Sequence, residues 1–576
     1  MQMRDFVVRF AGEGGQGVVT SAEGLAQVST QVGYHALTYS TFPSQIMGGP
    51  TWTQARISDA PILSAGDDVD VLVAFNREAY ETHFSEVRDG GVIIYNSNDR
   101  EFEGFEAEGE SRIFGLPIDD LAKSTGNTRA ANMVVIGALA HLVNMSQDYL
   151  EQFVEQRFRR GRDGDAEIIE SNIKAIKLGR AETARSGFAL GELAPAKAPD
   201  YKQIMLRGND ALSLGAMAAG VEFYIGYPIS PATTILLWME RNLVGPGKFA
   251  YQVSSEIESI TGILGAGYAG KKAMTATAGP GFSLMSEGLG LGWMAEIPVV
   301  VVDVQRGGPA TGLPTKTEQS DLMACMYPAH GDVRLPVIAV GTVEEAFYGA
   351  IWAFNWAERY QGPVILMTEM SLADRVQNIA RPDLSKITLE SRQTYQGSNG
   401  YHRYSGSEMS PMPIPGNPGA YVANGSEHDD MGDTTHLPDR HVQMTERRFN
   451  KLKLLEDGYY ESENTEASVA VMPWGGSKGP AYEAFLRLQE QEVSLGWYYT
   501  MFLHPLPPKL LEELKQKKLV IVPELNYQGQ FSSILRSMGV NAHSITQYTG
   551  LPFKVRDLVD RITEMTQSPQ KEMARA

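Results

Sequence analysis

Residues 273–305, AMTATAGPGFSLMSEGLGLGWMAEIPVVVVDVQ, join two strand-like apolar runs through a segment rich in glycine and other small residues. A further strand-like run, PVILMTE, spans residues 363–369. Short apolar runs that alternate with helical segments are typical of strands buried in a parallel sheet. The stretch therefore predicts a doubly wound α/β domain, with helices on both faces of its sheet.

The same alternation occurs on both sides of this stretch, and it predicts three doubly wound parallel-sheet domains. We expect the first to span residues 1–186, and the Pro-, Ala- and Gly-rich segment 187–200 separates it from a second domain over 200–384. A third domain is expected over 464–576. Residues 385–463 carry Gly, Pro, Ser and charged residues with few apolar runs, which indicates an irregular linker or excursion.

Charge and composition disfavour several classes of protein. The formal net charge of −19 argues against a nucleic-acid partner, because phosphates are neutralised by clustered Lys and Arg side chains. The amino terminus has no basic segment followed by an apolar run, and no window approaches about 18 consecutive apolar residues. We therefore expect a cytoplasmic protein that contacts no membrane.

Cys325 is the single cysteine of the chain, which makes an intrachain disulfide impossible. An iron–sulfur cluster is usually held by four cysteine thiolates, and a structural zinc ion by several cysteine or histidine ligands. Any cluster that the protein uses must therefore lie on another chain, and we predict no metal site in this one. Cys325 itself is expected to be a small core residue.

The first motif fits G-x-G-x-x-G between a strand and a helix. Its candidate ligand-binding residues are Gly12, Gly14, Gly15, Gln16 and Gly17. Such glycines let the backbone approach a pyrophosphate, which the helix N-terminus then binds. A dinucleotide site also needs an acidic residue about 20 positions further on, but none stands between Glu23 and Asp59, so NAD is disfavoured. Another phosphate-bearing ligand, such as coenzyme A, and a purely structural turn both stay open.

A second glycine-rich loop, 44–50, either lines the same cleft or is an ordinary connection.

A second motif, Tyr227-Pro228-Ile229-Ser230-Pro231, follows the strand-like run FYIG. Two prolines restrict the backbone around Ser230, so its hydroxyl should point in a defined direction. An ordinary turn would give the same pattern.

Two glutamates, Glu256 and Glu258, head a helix rich in small residues that leads into a strand and then to Gly279 and Gly281. Thiamine-diphosphate enzymes use this arrangement in their aminopyrimidine-binding domain. A buried carboxylate shares a proton with the N1′ ring nitrogen there and favours the imino form of the 4′-amino group. Because the two glutamates are two positions apart on a helix, they face different sides, and only one can reach the ring.

Arg306 follows the strand-like run VVVVDVQ, at the edge where parallel sheets bind ligands. Its planar guanidinium suits a carboxylate. An Arg–Asp surface pair is the alternative.

Together these motifs resemble the α subunit of 2-oxoglutarate- and related 2-oxoacid:ferredoxin oxidoreductases. The segments that carry the resemblance are YPISPATT, SSEIESI, AMTATAGPGFSLMSE and VDVQRGGPATGLPTKTEQSDL. The amino-terminal AGEGGQGVVTSAEGLAQ is similar to the γ subunit of this family, and ELNYQGQFSSILRS to its C-terminal α/β domain. The resemblance covers nearly the whole chain, with the exception of most of residues 385–463. It implies a γ-type domain, then a pyrimidine domain of the thiamine-diphosphate-binding fold, then a domain like the C-terminal domain of transketolase.

The resemblance also implies roles for single residues. The 25-residue spacing from Glu256 to Gly281 agrees with the family, whereas the count from Glu258 resembles acetolactate-synthase-like enzymes. Glu256 is thus the expected activator of thiamine diphosphate. The other residues expected around that cofactor are Tyr227, Pro228, Ile229, Gly279 and Gly281. Ser230 is expected near substrate and cofactor, and Arg306 on the substrate's 1-carboxylate. Thr315 or Lys316 could meet a distal carboxylate, although a structural role for Lys316 fits equally.

The implied reaction is the oxidative decarboxylation of 2-oxoglutarate to succinyl-CoA and CO2, or its reverse, with ferredoxin as the electron carrier. The diphosphate-binding domain, Mg²⁺ and a [4Fe–4S] cluster would belong to a β subunit in an α2β2 assembly, with coenzyme A at Gly12–Gly17. Pyruvate or a branched-chain 2-oxoacid stays open as the substrate. Two other classes of protein also stay open: a non-redox thiamine carboligase, and a NAD-binding regulatory protein.

Overall fold

The computed structural model describes residues 2–43, 49–105, 112–196 and 199–573, with side chains as far as residue 567. Most of the second glycine-rich loop, 44–48, lies outside the described residues. Among the helices of the described part, none is long and apolar enough to cross a membrane.

The strands are, in chain order, β1 (Gln2–Met3), β2 (Asp5–Glu13), β3 (His35–Thr41), β4 (Pro50–Ser58), β5 (Val69–Ala74), β6 (Val87–Asn96), β7 (Arg112–Leu116), β8 (Glu192–Leu193), β9 (Gln203–Arg207), β10 (Phe223–Gly226), β11 (Phe249–Gln252), β12 (Ala273–Thr277), β13 (Val299–Gln305), β14 (Val337–Ala339), β15 (Pro363–Glu369), β16 (Val376–Ala380), β17 (Glu461–Glu463), β18 (Val469–Val471), β19 (Gly496–Tyr499), β20 (Phe502–His504), β21 (Leu519–Glu524) and β22 (Ala542–Thr546).

The α-helices are α1 (Val18–Gln31), α2 (Arg77–His83), α3 (Ile118–Ser124), α4 (Ala131–Leu142), α5 (Gln147–Phe158), α6 (Asp165–Arg185), α7 (Gly208–Ala218), α8 (Thr233–Asn242), α9 (Glu256–Tyr268), α10 (Gly279–Leu284), α11 (Ser286–Met294), α12 (Leu322–Met326), α13 (Val343–Tyr360), α14 (Met370–Ala373), α15 (Pro438–Asn450), α16 (Lys478–Glu490), α17 (Pro508–Lys515), α18 (Gln530–Ser537) and α19 (Val555–Met573).

The chain forms two compact units. The first contains residues up to 206 together with 375–381, and the second contains 207–374 and 382–576. The α/β fold class predicted from the sequence is confirmed. The finer division at 186, 200, 384 and 464 stays a prediction.

The sheet of the first unit has the order β7-β6-β5-β2-β4-β3-β16-β9. Strands β7, β6, β5 and β2 are parallel, as expected, but β2 pairs antiparallel with β4, and β4 with β3. The reason is local, because the connection between β3 and β4, residues 42–49, is shorter than the dozen or so residues that a parallel crossover needs. On one face α4 and α6 touch backbone to backbone, since a Cβ atom at Gly137 would meet the carbonyl of Ile176.

The main sheet of the second unit has the order β11-β10-β12-β13-β15-β14-β20. It is parallel except for β20, which the carboxyl-terminal region contributes and which pairs antiparallel with β14. Every residue of β13 and of β15 is buried, as expected for central strands covered on both faces. A five-stranded sheet, β17-β19-β18-β21-β22, follows in the carboxyl-terminal region.

The segment expected to be an irregular excursion is fixed to the second unit by buried charges. Nε of Arg447 lies 2.9 Å from Oε1 of Glu296, and Nζ of Lys451 lies 3.0 Å from Oε2. Arg403 completes the cluster at 3.7 Å. Burial alone would raise the pKa of Glu296, but the three cations outweigh it and hold this pKa well below its usual range. Residues 403–451 are therefore part of the packed structure, although few of them are apolar.

Candidate active site

Glu256 is the first residue of α9 and is only 6% exposed. Its carboxylate lies against the glycine turn at the start of α10, because a Cβ atom added at Gly281 would be 2.5 Å from Oε1 of Glu256 and would also meet Oγ1 of Thr277. Among the described residues we find no hydrogen-bond partner for this carboxylate. A buried carboxylate without a partner is unfavourable unless a ligand supplies a donor.

Glu258 has a different environment. It is exposed, and its Oε2 accepts hydrogen bonds from the backbone N (2.9 Å) and Oγ (2.8 Å) of Ser254. These bonds, the backbone one first, lower the pKa of Glu258. Its own backbone N donates to the capping Oγ of Ser255 (3.3 Å), as in a capping box. Glu258 thus closes the N-terminus of α9, while Glu256 faces the interior.

Arg306 directly follows β13 and is 7% exposed. Its Nη1 donates to the backbone oxygen of Ser230 at 2.6 Å, so the structure brings these two predicted residues together. Its Nε is buried with no hydrogen-bond partner, and no carboxylate in the described part of the chain lies within ion-pair distance. Among the described residues, Arg306 therefore does not form the Arg–Asp surface pair that was the alternative interpretation. Ser230 and Tyr227 are exposed beside it.

Lys316 and Thr315 are half-buried on the loop between β13 and α12. The backbone oxygen of Lys316 accepts from the N–H of Gly307 (3.0 Å), which closes the loop immediately after Arg306. The Lys316 side chain packs against the carboxyl-terminal region, where a Cβ atom at Gly550 would lie 2.9 Å from the Cβ of Lys316. Burial lowers the pKa of Lys316.

The carboxyl-terminal region fixes the end of this loop, a role that sequence reasoning did not assign. Nε2 of Gln319 donates to the backbone oxygen of Trp474 (2.8 Å), and its Oε1 accepts from the N–H of Leu525 (2.9 Å). Nε2 of Gln530 donates to the oxygen of Ser320 (2.7 Å). Leu525 and Gln530 belong to the segment ELNYQGQFSSILRS, so this motif positions the loop that follows Arg306.

Two acidic residues close to this loop were not assigned a role from the sequence: Asp303, which is buried, and Asp321, which is half-buried. Sγ of Cys325 donates to Oδ2 of Asp303 (3.5 Å), and burial raises the pKa of both groups. Asp321 lies against the glycine turn, since a Cβ atom at Gly279 would be 2.7 Å from its Oδ2. Burial raises the pKa of Asp321 to about 6, Glu318 adds to this rise, and Arg306 opposes it. In the sequence, Asp303 is a single charged residue within an apolar strand, and Asp321 is an acidic residue in a polar loop. Cys325 is buried, as expected.

The glycine-rich loop belongs to the first unit. Gly12 lies near the end of β2, and Gly15 and Gly17 have positive φ angles of 99° and 88°, which favour glycine. Oε1 of Gln16 accepts from the backbone N of Glu13 (2.7 Å), so this side chain closes the turn instead of facing outward. In the described part of the chain, no atom lies within 4 Å of a Cβ position at Gly14 or Gly15.

A cleft of about 740 Å³ lies in the same unit, and sequence reasoning did not find it. Asn132, whose side chain lies against Gly17, lines it together with Thr20. The cleft also contains four arginines, Arg129, Arg157, Arg160 and Arg162.

Two family models match the chain. One, described as pyruvate flavodoxin/ferredoxin oxidoreductase, thiamine diphosphate-binding, matches residues 214–447. The other, described as pyruvate ferredoxin/flavodoxin oxidoreductase, matches residues 7–182. The first match covers 385–447, so the expectation that this segment lies outside the family resemblance was wrong. Its buried charge cluster explains why an irregular, polar segment belongs to the family's structure.

Similar proteins cover nearly the whole chain. The α subunit of 2-oxoacid:ferredoxin oxidoreductase 2 from Aeropyrum pernix is 30% identical and spans 98% of this chain and 98% of its own length. The 2-oxoglutarate oxidoreductase subunit KorA from Mycobacterium tuberculosis is 30% identical over 96% of this chain and 90% of its own.

A solved structure of 2-oxoglutarate:ferredoxin oxidoreductase from Magnetococcus marinus, with 2-oxoglutarate, coenzyme A and succinyl-CoA bound, has a TM-score of 0.91. It is 37% identical and covers 98% of this chain and all of the matched chain. The thiamine-diphosphate-binding family model, the full-length relatives and the shared fold agree with one another. The chain therefore belongs to the 2-oxoacid:ferredoxin oxidoreductases, as a subunit of the α type.

Proposed function

We propose that this chain is the γ–α-fused subunit of a 2-oxoglutarate:ferredoxin oxidoreductase, which forms succinyl-CoA and CO2 from 2-oxoglutarate and coenzyme A. The observation that carries the proposal is the buried Glu256 carboxylate, which lies against Gly281 and has no hydrogen-bond partner among the described residues. Because Gly281 has no side chain, the Glu256 carboxylate can lie against this turn. A buried carboxylate that lacks a donor fits the N1′ nitrogen of an aminopyrimidine ring, with which it would share a proton.

Each of the site residues in the second unit then has a defined role in the reaction. Thiamine diphosphate, when bound, supplies the carbanion that adds to the keto carbon and the electron sink for decarboxylation. Glu256 holds the proton at the N1′ atom of the aminopyrimidine. Arg306 binds the 1-carboxylate, with Nη1 held by the Ser230 carbonyl and the buried Nε free to donate. The exposed hydroxyl of Ser230 orients the reacting end of the substrate.

The choice of 2-oxoglutarate rests on the loop after Arg306. The substrate carries a second carboxylate, and Lys316 lies half-buried on the loop that the Gly307–Lys316 hydrogen bond closes. Burial lowers the pKa of Lys316, and an anionic partner would offset this desolvation. The similar structure from Magnetococcus marinus contains bound 2-oxoglutarate. Thr315 is the second candidate for this contact.

Coenzyme A is proposed to bind the first unit. The open backbone at Gly14 and Gly15, before the N-terminus of α1, suits a pyrophosphate. The arginine-lined cleft continues from Gly17 through Asn132 and offers cations for further phosphate groups.

The remaining parts of the reaction are assigned to a partner. The chain has a single cysteine, and it is buried, so a [4Fe–4S] cluster would be carried by a β subunit. We assign Mg²⁺ and the diphosphate-binding domain to the same subunit, in an α2β2 complex of the cytoplasm that reduces ferredoxin. With reduced ferredoxin the same residues would serve the reverse, carboxylating reaction.

The test is to purify the complex after co-expression with its β subunit. We would measure iron–sulfur absorption and the CoA-dependent reduction of viologen with 2-oxoglutarate, pyruvate and 2-oxoisovalerate. We expect a coloured complex with the highest kcat/KM for 2-oxoglutarate, and a lower value in Lys316→Met for this substrate only. A higher kcat/KM for pyruvate or 2-oxoisovalerate would overturn the substrate assignment. A colourless, active preparation of this chain alone would favour a non-redox carboligase.

A further inference from the structure

We propose that Asp321 is a positioning residue that controls, through its own protonation, how strongly Arg306 binds the carboxylate of the 2-oxoacid. The inference rests on the proposed function, because it takes Arg306 to be the residue that binds the substrate.

Asp321 is fixed at the junction of three elements. It occupies the position before the first residue of α12, where its side chain makes no capping hydrogen bond. Its backbone N donates to Oε1 of Gln305 at the end of β13 (3.2 Å), and its carboxyl lies against Gly279 at the start of α10. Its Oδ2 is buried and has no hydrogen-bond partner among the described residues. The carboxyl is thus held in place by its backbone and by close packing, while one of its oxygens lacks a donor.

The charges around Asp321 are unbalanced. The titratable groups that face it are Asp303 on β13, Cys325 on α12, Glu318 on its own loop, and Arg306. Gly279 is its neighbour on α10, and Gln530 is the neighbouring side chain on α18. Arg306 is therefore the cation of a cluster that otherwise contains acidic groups.

Arg306 and Asp321 interact without forming an ion pair. Asp321 is bonded through its backbone N to Gln305, the residue before Arg306, which places the two charged residues near each other. No ion pair joins them, and Nε of Arg306 and Oδ2 of Asp321 both lack hydrogen-bond partners among the described residues. In an ordinary buried ion pair the two charges satisfy each other through hydrogen bonds. Here Nε of the Arg306 guanidinium has no acceptor. A substrate carboxylate can therefore accept a hydrogen bond from this Nε, which Asp321 does not do.

The protonation state of Asp321 would decide how strongly Arg306 binds the substrate carboxylate. When ionised, Asp321 neutralises part of the Arg306 charge and repels an incoming carboxylate; when protonated, it does neither. Burial raises the pKa of Asp321 to about 6, with Glu318 adding to the rise and Arg306 opposing it, so the change falls close to neutral pH. Binding of the anionic substrate would raise this pKa further, and the complex would take up a proton from solvent.

The test uses the intact complex with its β subunit and measures KM for 2-oxoglutarate from pH 5.5 to 8.5. For the wild-type chain we expect this KM to rise about fivefold or more as Asp321 ionises, while KM for coenzyme A does not follow. Asp321→Asn should keep the low KM across the whole range. Asp332→Asn, which removes an exposed carboxylate from the same stretch of chain, is the matched control and should behave as wild type.

Two results would overturn the inference. One is an Asp321→Asn complex in which KM for 2-oxoglutarate keeps the wild-type pH dependence. The other is a complex in which KM for 2-oxoglutarate and for coenzyme A rise together at every pH, which is the effect of a purely structural residue. A wild-type complex that oxidises no 2-oxoacid would instead refute the proposed function, and the inference with it.

A second measurement does not require the Asp321 variant to fold. In the Glu256→Gln complex 2-oxoglutarate should bind without being converted. Calorimetric titration in two buffers of different ionisation enthalpy should show proton uptake near pH 7 and little at pH 5. Binding without proton uptake at pH 7 would refute the role of Asp321.

Discussion

Two of the chain's glycine-rich turns, at Gly12–Gly17 and at Gly279–Gly281, each follow a strand and precede a helix, and their glycines serve opposite purposes. In the first unit, the backbone at Gly14 and Gly15 is open on the side where a Cβ would lie. In the second unit, Gly279 and Gly281 make room for the protein's own carboxyl groups, those of Asp321 and Glu256. The same sequence signal thus marks a surface suited to a ligand's phosphate in one turn and a buried acid in the other.

The largest expected effect tests the carboxylate at the second turn. Glu256→Gln should lower kcat about 10²- to 10⁴-fold, because the amide cannot share a proton with the aminopyrimidine. Steady-state assays of the complex measure this loss. Glu258→Gln is the matched control and should retain activity, since Glu258 is exposed and closes the N-terminus of α9. Loss of activity in Glu258→Gln alone would show that the assignment of the two glutamates is wrong.

The next effect tests the space at this turn. Gly281→Ala would place a Cβ atom 2.5 Å from Oε1 of Glu256, so the carboxylate must move, and we expect kcat/KM to fall about 10- to 100-fold. Gly265→Ala on α9 is the control, because in the described part of the chain no atom outside its own helix lies within 4 Å of its Cβ position. Alanine there should keep activity and stabilise the helix by about 1 kcal/mol. Equal activity in the two variants would contradict the close approach of Glu256.

The first turn gives a smaller and more selective effect. An alanine Cβ at Gly14 contacts no atom of the residues that the structure describes, so we attribute an effect on KM for coenzyme A to contact with the ligand. We expect this KM to rise about tenfold, with KM for 2-oxoglutarate and the melting temperature unchanged. Gly15→Ala adds backbone strain of about 1–2 kcal/mol, because its φ is 99°. An unchanged KM for coenzyme A in both variants would show that the loop is a structural turn that does not bind coenzyme A.

The smallest effect is on stability and depends on pH. The pKa of Asp321 is raised from its ordinary 3.8 to about 6, so the folded chain binds this proton more tightly than the unfolded chain. Stability is therefore lost as pH rises between these two values, and the loss persists above them. Asp321→Asn should add about 1 kcal/mol to the free energy of unfolding at pH 8 and less at pH 5. Thermal melting of the complex at both values measures this difference, and a gain that does not shrink at pH 5 would contradict it.

The sequence predicted the elements whose signal is local. Strands β13 and β15 were evident as apolar runs, and both are fully buried. Glu256 was preferred to Glu258 from its spacing to Gly281, and the structure places Glu256 beside that glycine. Spacing along a helix and a strand carries this information because the geometry of both elements is regular.

The parts that were missed depend on contacts between distant residues. Strand β16 pairs with β3, and the backbone N of Val376 donates to Oγ1 of Thr38 at 3.2 Å. The charge cluster joins Glu296 to Arg447 across 151 positions. The composition of 385–463 shows only that charged residues are present, and it does not show that they are buried together. Asp321 was missed for the same reason, because its neighbours Gly279 and Asp303 come from other elements.

Strand β16 also limits how this fused gene could be divided. Residues 375–381 complete the sheet of the first unit, where β16 lies between β3 and β9, yet they are encoded after strands β10 to β15 of the second unit's main sheet. Two separate genes cut at 187–200 would yield a first product that ends its sheet at β3 and exposes an unpaired edge, which favours aggregation. Expression of the first unit alone would therefore require residues 203–207 and 375–381 to be grafted back onto it.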